Sequence, residues 1–432
     1  MQWRREIAAV VKIHGGEKAP PYGGIMENQL STRQVCFIMF AYSAAGKLLM
    51  MPALLSYYSK NDLLFPALAI YLLQVAAVWA VSFACTKTDK TVFGVIEGMF
   101  GKAAAKVAAW LLFAFFIMAS LLPMLEQKLF VQAIFYDTIP SLITFLPFFA
   151  LSVYVAAKGL RNAGRVADVM FPLFCAALAA VVAMSVGESN MGWLLPVLKT
   201  PFSSLVTGAR FAAYNFADGA VMLMFMGRFA CRRGDCTKIT LSYVLSAVAV
   251  LGFLALFYSI FSSLTPDQYF AISKIAIFFG ALSLVGRVDL IAVYAIEACM
   301  LFALMLYLQL AVTCACHALG KEQTVGRTVR PAAAVVSVII NAVLLALVVL
   351  FNGSYLVVQE FYGKYLWAVW LAFSVVLPLL ALVLTAVKCK KSSRGSGDVS
   401  GGHNVGGGRK RAAGKKGPAG GKDAVGRAGG GA

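Results

Sequence analysis

The sequence predicts an all-α polytopic membrane protein: ten transmembrane helices in a five-plus-five inverted-repeat fold, with helices 1 and 6 broken. Three observations predict it. Sixty per cent of the 432 residues are hydrophobic and only 13% are charged, whereas soluble domains are about half apolar with roughly a quarter of residues charged. The apolar residues fall in runs of membrane-spanning length. Two of those runs carry a charge beside a glycine, Gly46-Lys47 in one and Asp218-Gly219 in the other, and they occupy corresponding places when the runs are divided five and five.

In chain order, residues 1–25 lack a sustained apolar core and read as a disordered extension without a cleavable signal peptide. Met26 is a natural start, and Ser31 or Thr32 is placed to cap the first helix. Apolar runs then put span 1 at about 34–57, span 2 at about 63–84, span 3 at about 105–124, span 4 at about 141–157 and span 5 at about 168–186. Span 6 falls at about 208–229, span 7 at about 239–262, span 8 at about 288–312, span 9 at about 331–351 and span 10 at about 365–387. The intervening stretch 265–286 is too short for a comfortable crossing and reads as an interfacial or re-entrant helix. Residues 26–387 therefore form one membrane domain, with repeats at about 34–186 and 208–387.

The formal charge of +19 would suit a nucleic-acid binder if it were gathered on one folded face. It is instead distributed by topology. With the N-terminus inside, Lys87, Lys90, Lys102, Lys106, Lys158, Arg161, Arg165, Arg228, Arg232, Arg233, Lys238, Lys321, Arg327 and Arg330 all fall on inner segments. That bias is the positive-inside pattern, and with ten spans it places both termini on the cytoplasmic side. Residues 388–432, rich in Gly, Lys and Arg, cannot bury enough apolar surface to fold. This tail reads as a flexible basic end, with contact to anionic lipid as its functional alternative and no nucleic-acid role.

Lys47 and Asp218 carry opposite charges at hydrocarbon depth, where an ionisable group is costly and a functional site is the default reading. Gly46 and Pro52 weaken one helix and Gly219 the other, and broken membrane helices expose backbone groups that hold small polar ligands. Close helix packing around small residues is the plain alternative. Lys47 either pairs with Asp218 or Glu297 as structure, or stands in a wet cavity in the electrostatic place of a sodium ion. Asp218 would hold a ligand ammonium while Lys47 and free helix-end N–H groups met a carboxylate. Glu297, with Tyr294 one turn earlier, is a second deep acid for a core network, a ligand or a proton. Tyr42, Gly46, Tyr214, Asn215, Ala217 and Gly219 flank the breaks and complete the candidate ligand-binding set. Glu126 ends span 3 and is expected in the outer vestibule or against a partner.

Cys314-Ala-Cys316-His317 offers three ligand types without a fourth nearby, so no metal or other cofactor is expected. The remaining cysteines in apolar runs read as packing residues. Phosphate-loop, HExxH and nucleophile-elbow motifs are all missing from the sequence, which argues against an enzyme.

Several stretches carry a resemblance. ENQLSTRQ from Glu27 to Gln34, AYSAAGKLLMMPALL from Ala41 to Leu55, YVAAKGLRNAGRVADVMFPLF from Tyr154 to Phe174, NMGWLLP from Asn190 to Pro196 and FFGALSLVGRVDLIAVYAIE from Phe278 to Glu297 together resemble the spore-germination permease family. Its members are the integral-membrane B subunits of germinant receptors, a branch of the amino acid–polyamine–organocation superfamily. The resemblance implies a transporter-like fold and residence in a bacterial cell membrane or spore inner membrane. It also implies a membrane-embedded A-type subunit and a C-type lipoprotein as partners, and recognition of a small amino-acid-like germinant. The pocket would lie between the broken parts of spans 1 and 6, with spans 3 and 8 closing it. Lys47, the N-terminal extension and the basic tail depart from the family pattern.

Two rival functions share this bundle. One is a proton-coupled amino acid transporter, and the other a non-binding scaffold subunit whose work is assembly.

Overall fold

Ser31 closes the start of the first helix through a capping box: its hydroxyl accepts from the Gln34 amide while the Gln34 side chain accepts from the Ser31 amide. From that cap the computed structural model, described over residues 30–135, 141–277, 289–320, 331–351 and 353–397, is helical throughout, and no strand occurs among these residues. Contacts divide the chain into two compact units, Met1–Cys389 and Lys390–Ala432. The helices that build the site lie in the first.

The first expected span is two helices, α1 (Thr32–Ala45) and α2 (Met51–Ser59), separated by an irregular stretch that begins at Gly46. Pro52 sits in the first turn of α2, where its missing N–H costs nothing. The sixth is likewise divided. Helix α8 (Phe202–Ala212) tightens into a 3₁₀ turn at Ala213–Asn215, the chain opens at Phe216 and Ala217, and α9 (Asp218–Phe225) begins anew.

Between the two broken elements come α3 (Leu64–Cys85), the short α4 (Val92–Phe100), α5 (Lys102–Phe135), α6 (Ser141–Lys158) and α7 (Leu160–Ser185). After them follow α10 (Arg233–Phe261), α11 (Ala271–Ile277), α12 (Asp289–Ala318) and α13 (Pro331–Leu350). The final run is α14 (Tyr355–Phe361), α15 (Trp367–Leu371) and α16 (Leu377–Gly397), joined by π-helical turns at Tyr362–Leu366 and Ala372–Val376. Helix α5 packs along α12, and α1 lies against α10 and α7.

Seven of the described helices are long and apolar enough to cross a membrane unbroken. The expected spans 1, 4 and 6 are not among them. Spans 1 and 6 are excluded by their breaks, while span 4 is the 18-residue helix α6, whose fully described apolar part is Phe145–Val155. Span 3 is longer than its apolar run implies, because α5 continues through Glu126, Gln127 and Lys128 to Phe135. Span 10 begins about ten residues earlier than expected, and α4 had no counterpart in the sequence reading. Of the 265–286 stretch, a 3₁₀ segment at Ser262–Asp267 and α11 are described, while 278–288 lies outside the described residues. So do the 1–25 extension and the basic tail beyond 397.

At one end of the unit, Asp62 ties the loop before α8 to the end of α2. Its carboxylate accepts from the amides of Leu198 (2.6 Å) and Thr200 (2.8 Å), and the Thr200 hydroxyl donates to the Ser59 carbonyl. Burial alone would raise the Asp62 pKa, but these donors outweigh it and hold the carboxyl below its ordinary value.

Candidate ligand site between the two broken helices

The two breaks meet. Lys47, one residue past Gly46, sends its ammonium to both oxygens of Asp218 at 3.0 Å each, and to the carbonyl (2.9 Å) and hydroxyl (3.1 Å) of Ser43. Lys47 is 2% exposed and Asp218 is fully buried. The rings of Phe216 and Tyr71 face the same ammonium at 4.7 and 5.5 Å, adding cation–π attraction. Tyr243 of α10 donates to Asp218 Oδ2 at 2.9 Å. Of the two partners the sequence left open for Lys47, the structure selects Asp218 over Glu297, and every acceptor and donor of the pair is engaged.

Gln74 of α3 finishes the second break. Its amide nitrogen donates to the Phe216 carbonyl (3.2 Å) and the Ser374 hydroxyl (2.9 Å), and its oxygen accepts from the Gly219 amide (3.0 Å). Backbone groups freed by the break are thus satisfied by a side chain, as a membrane interior demands. Gly219 is needed for a close approach. A Cβ there would stand 2.0 Å from the Ser374 carbonyl oxygen, in the π turn of the last helical run.

Beside the bridge lies a cavity of about 30 Å³, bordered by Tyr42, Gly46, Lys47 and Leu49 from the first break, Asn215 from the second, Pro123, Glu126 and Gln127 of α5, and Met300, Ala303, Leu304 and Tyr307 of α12. That space accommodates on the order of two waters. The hydroxyls of Tyr42 and Tyr307 meet across it at 2.5 Å.

Glu126 is 2% exposed and borders this cavity, which corrects its expected place in an outer vestibule or partner contact. Its Oε1 accepts from Tyr214 (2.7 Å) and from Tyr355 (3.0 Å), and Gln359 in turn donates to Tyr355 (3.0 Å). Glu297 is 6% exposed. With its amide nitrogen turned toward that residue, Gln127 donates to both carboxylate oxygens, at 2.6 and 2.8 Å.

Of the sequence-predicted residues, Tyr42, Gly46, Lys47 and Asn215 border the cavity. Asp218 and Gly219 lie behind them in the bridge and its packing, Ala217 is buried ahead of α9, and Tyr214 reaches the cavity through Glu126. Glu297 reaches it only through Gln127. Tyr294 is 53% exposed on α12 and is not among the residues that border the cavity, and the Glu297 carboxylate is met by Gln127. Glu126, Gln127, Tyr307, Gln74 and Tyr243 were missed. Only Glu126 gave a sequence signal, as an acid close to an apolar run.

No curated protein matches the chain. Residues 29–355, from just before the Ser31 cap to the first residue of α14, match the family described as spore germination protein. The chain is an integral membrane protein that belongs to the spore germination permease family.

Proposed function

We propose that the chain is the membrane subunit of a spore germinant receptor, and that it binds a small nutrient such as an amino acid in the cavity beside the two helix breaks and signals germination. The observation that carries this reading is the meeting of both breaks at the Lys47–Asp218 bridge, next to a small cavity lined by both polar and apolar side chains, in a chain of this family. A bound ligand touches both broken elements at once, so its occupancy biases how the two halves of the bundle sit. Helix α2 starts at the cavity edge with no side-chain cap from Met50, and its first amides suit the ligand carboxylate.

Ten crossings in a five-plus-five inverted repeat, cytoplasmic termini, the spore inner membrane, and A-type and C-type subunits as partners belong to the same proposal. In spores of the source organism, deletion of the gene should abolish germination to a subset of single amino acids, and the wild-type gene should restore it. Uptake of the same radiolabelled compounds in growing cells should be unchanged. Normal germination with lost uptake would overturn the receptor reading. One observation favours that second outcome, a proton-coupled amino acid transporter. Glu126 and Glu297 are buried carboxylates without a Lys or Arg partner among the described residues.

A further inference from the structure

Three buried acids lie around the cavity and the breaks, and they differ in what remains free on each. Asp218 accepts two bonds from Lys47 and one from Tyr243. Glu297 has both oxygens covered by the Gln127 amide. Glu126 is engaged only at Oε1, by Tyr214 and Tyr355, and its Oε2 accepts no hydrogen bond from a described residue. Glu126 is also the one of the three that borders the cavity.

This carboxylate oxygen has acceptor capacity that no protein donor among the described residues uses, on a residue that borders the cavity, so it is open to a cation or donor arriving there. The two phenols, Tyr214 from the 3₁₀ turn of the second break and Tyr355 from α14, fix the Glu126 carboxylate, so the other oxygen is held in place before any ligand comes. The neighbouring ammonium of Lys47 is already committed to Asp218 and Ser43 and is not available to it.

We propose that Glu126 receives the ammonium group of a small zwitterionic ligand in this cavity, while the Lys47–Asp218 pair is a structural tie between the broken helices and not the amine site. The inference rests on the ligand-binding reading above and replaces its expected amine partner. A cavity of about 30 Å³ holds about two waters, so any amino acid enters only as the surrounding helices part. Small aliphatic amino acids, glycine and alanine first, demand the least parting and are the class we assign.

The test uses the full chain in lipid nanodiscs, with equilibrium binding of single radiolabelled amino acids and competition by each one's deaminated acid, such as propanoate against alanine. Wild type should bind at least one small amino acid, and the deaminated acid should fail to compete. Glu126→Gln keeps an oxygen for Tyr214 and Tyr355 but removes the charge, and it should weaken binding at least tenfold. Asp218→Asn, where it folds, should retain the preference for the aminated compound. Wild-type affinity in Glu126→Gln would overturn the inference and leave the function reading standing. Binding of no amino acid by wild type would overturn both. Should Glu126→Gln fail to fold, Glu126→Asp decides: weaker binding with the amine preference kept supports the assignment, and unchanged affinity overturns it.

Discussion

Removing one charge of the Lys47–Asp218 pair should cost far more than removing both. The pair is fully withdrawn from solvent, and its attraction offsets a desolvation penalty of several kcal/mol per ion. In Asp218→Asn the ammonium keeps Ser43 and the ring faces but loses both anionic contacts at 3.0 Å, leaving a buried charge uncompensated. Breaking a buried pair this way costs about 3–5 kcal/mol. Lys47→Met leaves Asp218 with only Tyr243 and should cost a similar amount. In the double variant Lys47→Met with Asp218→Asn no buried charge remains, and its cost should fall at least about 2 kcal/mol short of the sum of the singles. Unfolding in mild detergent, followed by a thiol-reactive dye, provides the assay, because Cys85, Cys236, Cys299, Cys314 and Cys316 carry buried thiols outside any disulfide and react only on opening. Single costs below about 1 kcal/mol that simply add in the double variant would refute the claim that this pair ties the two breaks together.

Gly219→Ala places a methyl 2.0 Å from the Ser374 carbonyl and should lower stability by about 1–3 kcal/mol or more, read by the same unfolding assay; an unchanged midpoint would mean the π turn does not seat on α9 as described. Tyr243→Phe removes one hydrogen bond to a charged acceptor and should cost about 1.5–3 kcal/mol, and the loss should shrink to about 0.5–1.5 kcal/mol in the Lys47→Met, Asp218→Asn background, where the acceptor is a neutral amide oxygen. Because Asp62 has its pKa held below the unfolded-chain value, its contribution is present above about pH 4 and is lost as pH falls through the lowered folded value. The stability gap between wild type and Asp62→Asn should therefore be constant near neutrality and close in acid. A gap that widens in acid would contradict the latch.

Both helix breaks were legible from local chemistry. Glycine and proline mark the first, and an acid beside glycine marks the second. Opposite charge narrowed the partner of Lys47 to Asp218 or Glu297, and the choice of Asp218 came only from the geometry. Glu126 was misplaced because the apolar run that defines a span stops near Leu122, whereas α5 continues through Pro123 and the charged Glu-Gln-Lys to Phe135. Helix length here is sustained by packing against α12, which hydropathy along one chain segment does not register. Gln127 as the partner of Glu297 is a contact between two helices far apart in sequence. Tyr294, one turn from Glu297, is nearer in sequence and is 53% exposed on α12. The π turns lack proline, and each meets an element distant in sequence: Ala372–Val376 packs on α9 at Gly219, and Tyr362–Leu366 on α8 at Phe211.

Filling the cavity tests most directly whether it is the germinant site. Ala303 is buried at its border on α12, and Ala303→Val would put two further carbons into a space sized for about two waters. Spores restored with this variant, made at wild-type level and with an unfolding midpoint near wild type, should lose germination to the same amino acids as the deletion while still responding to a receptor-independent trigger. Full germination to those amino acids with the cavity filled would show that the ligand is sensed elsewhere.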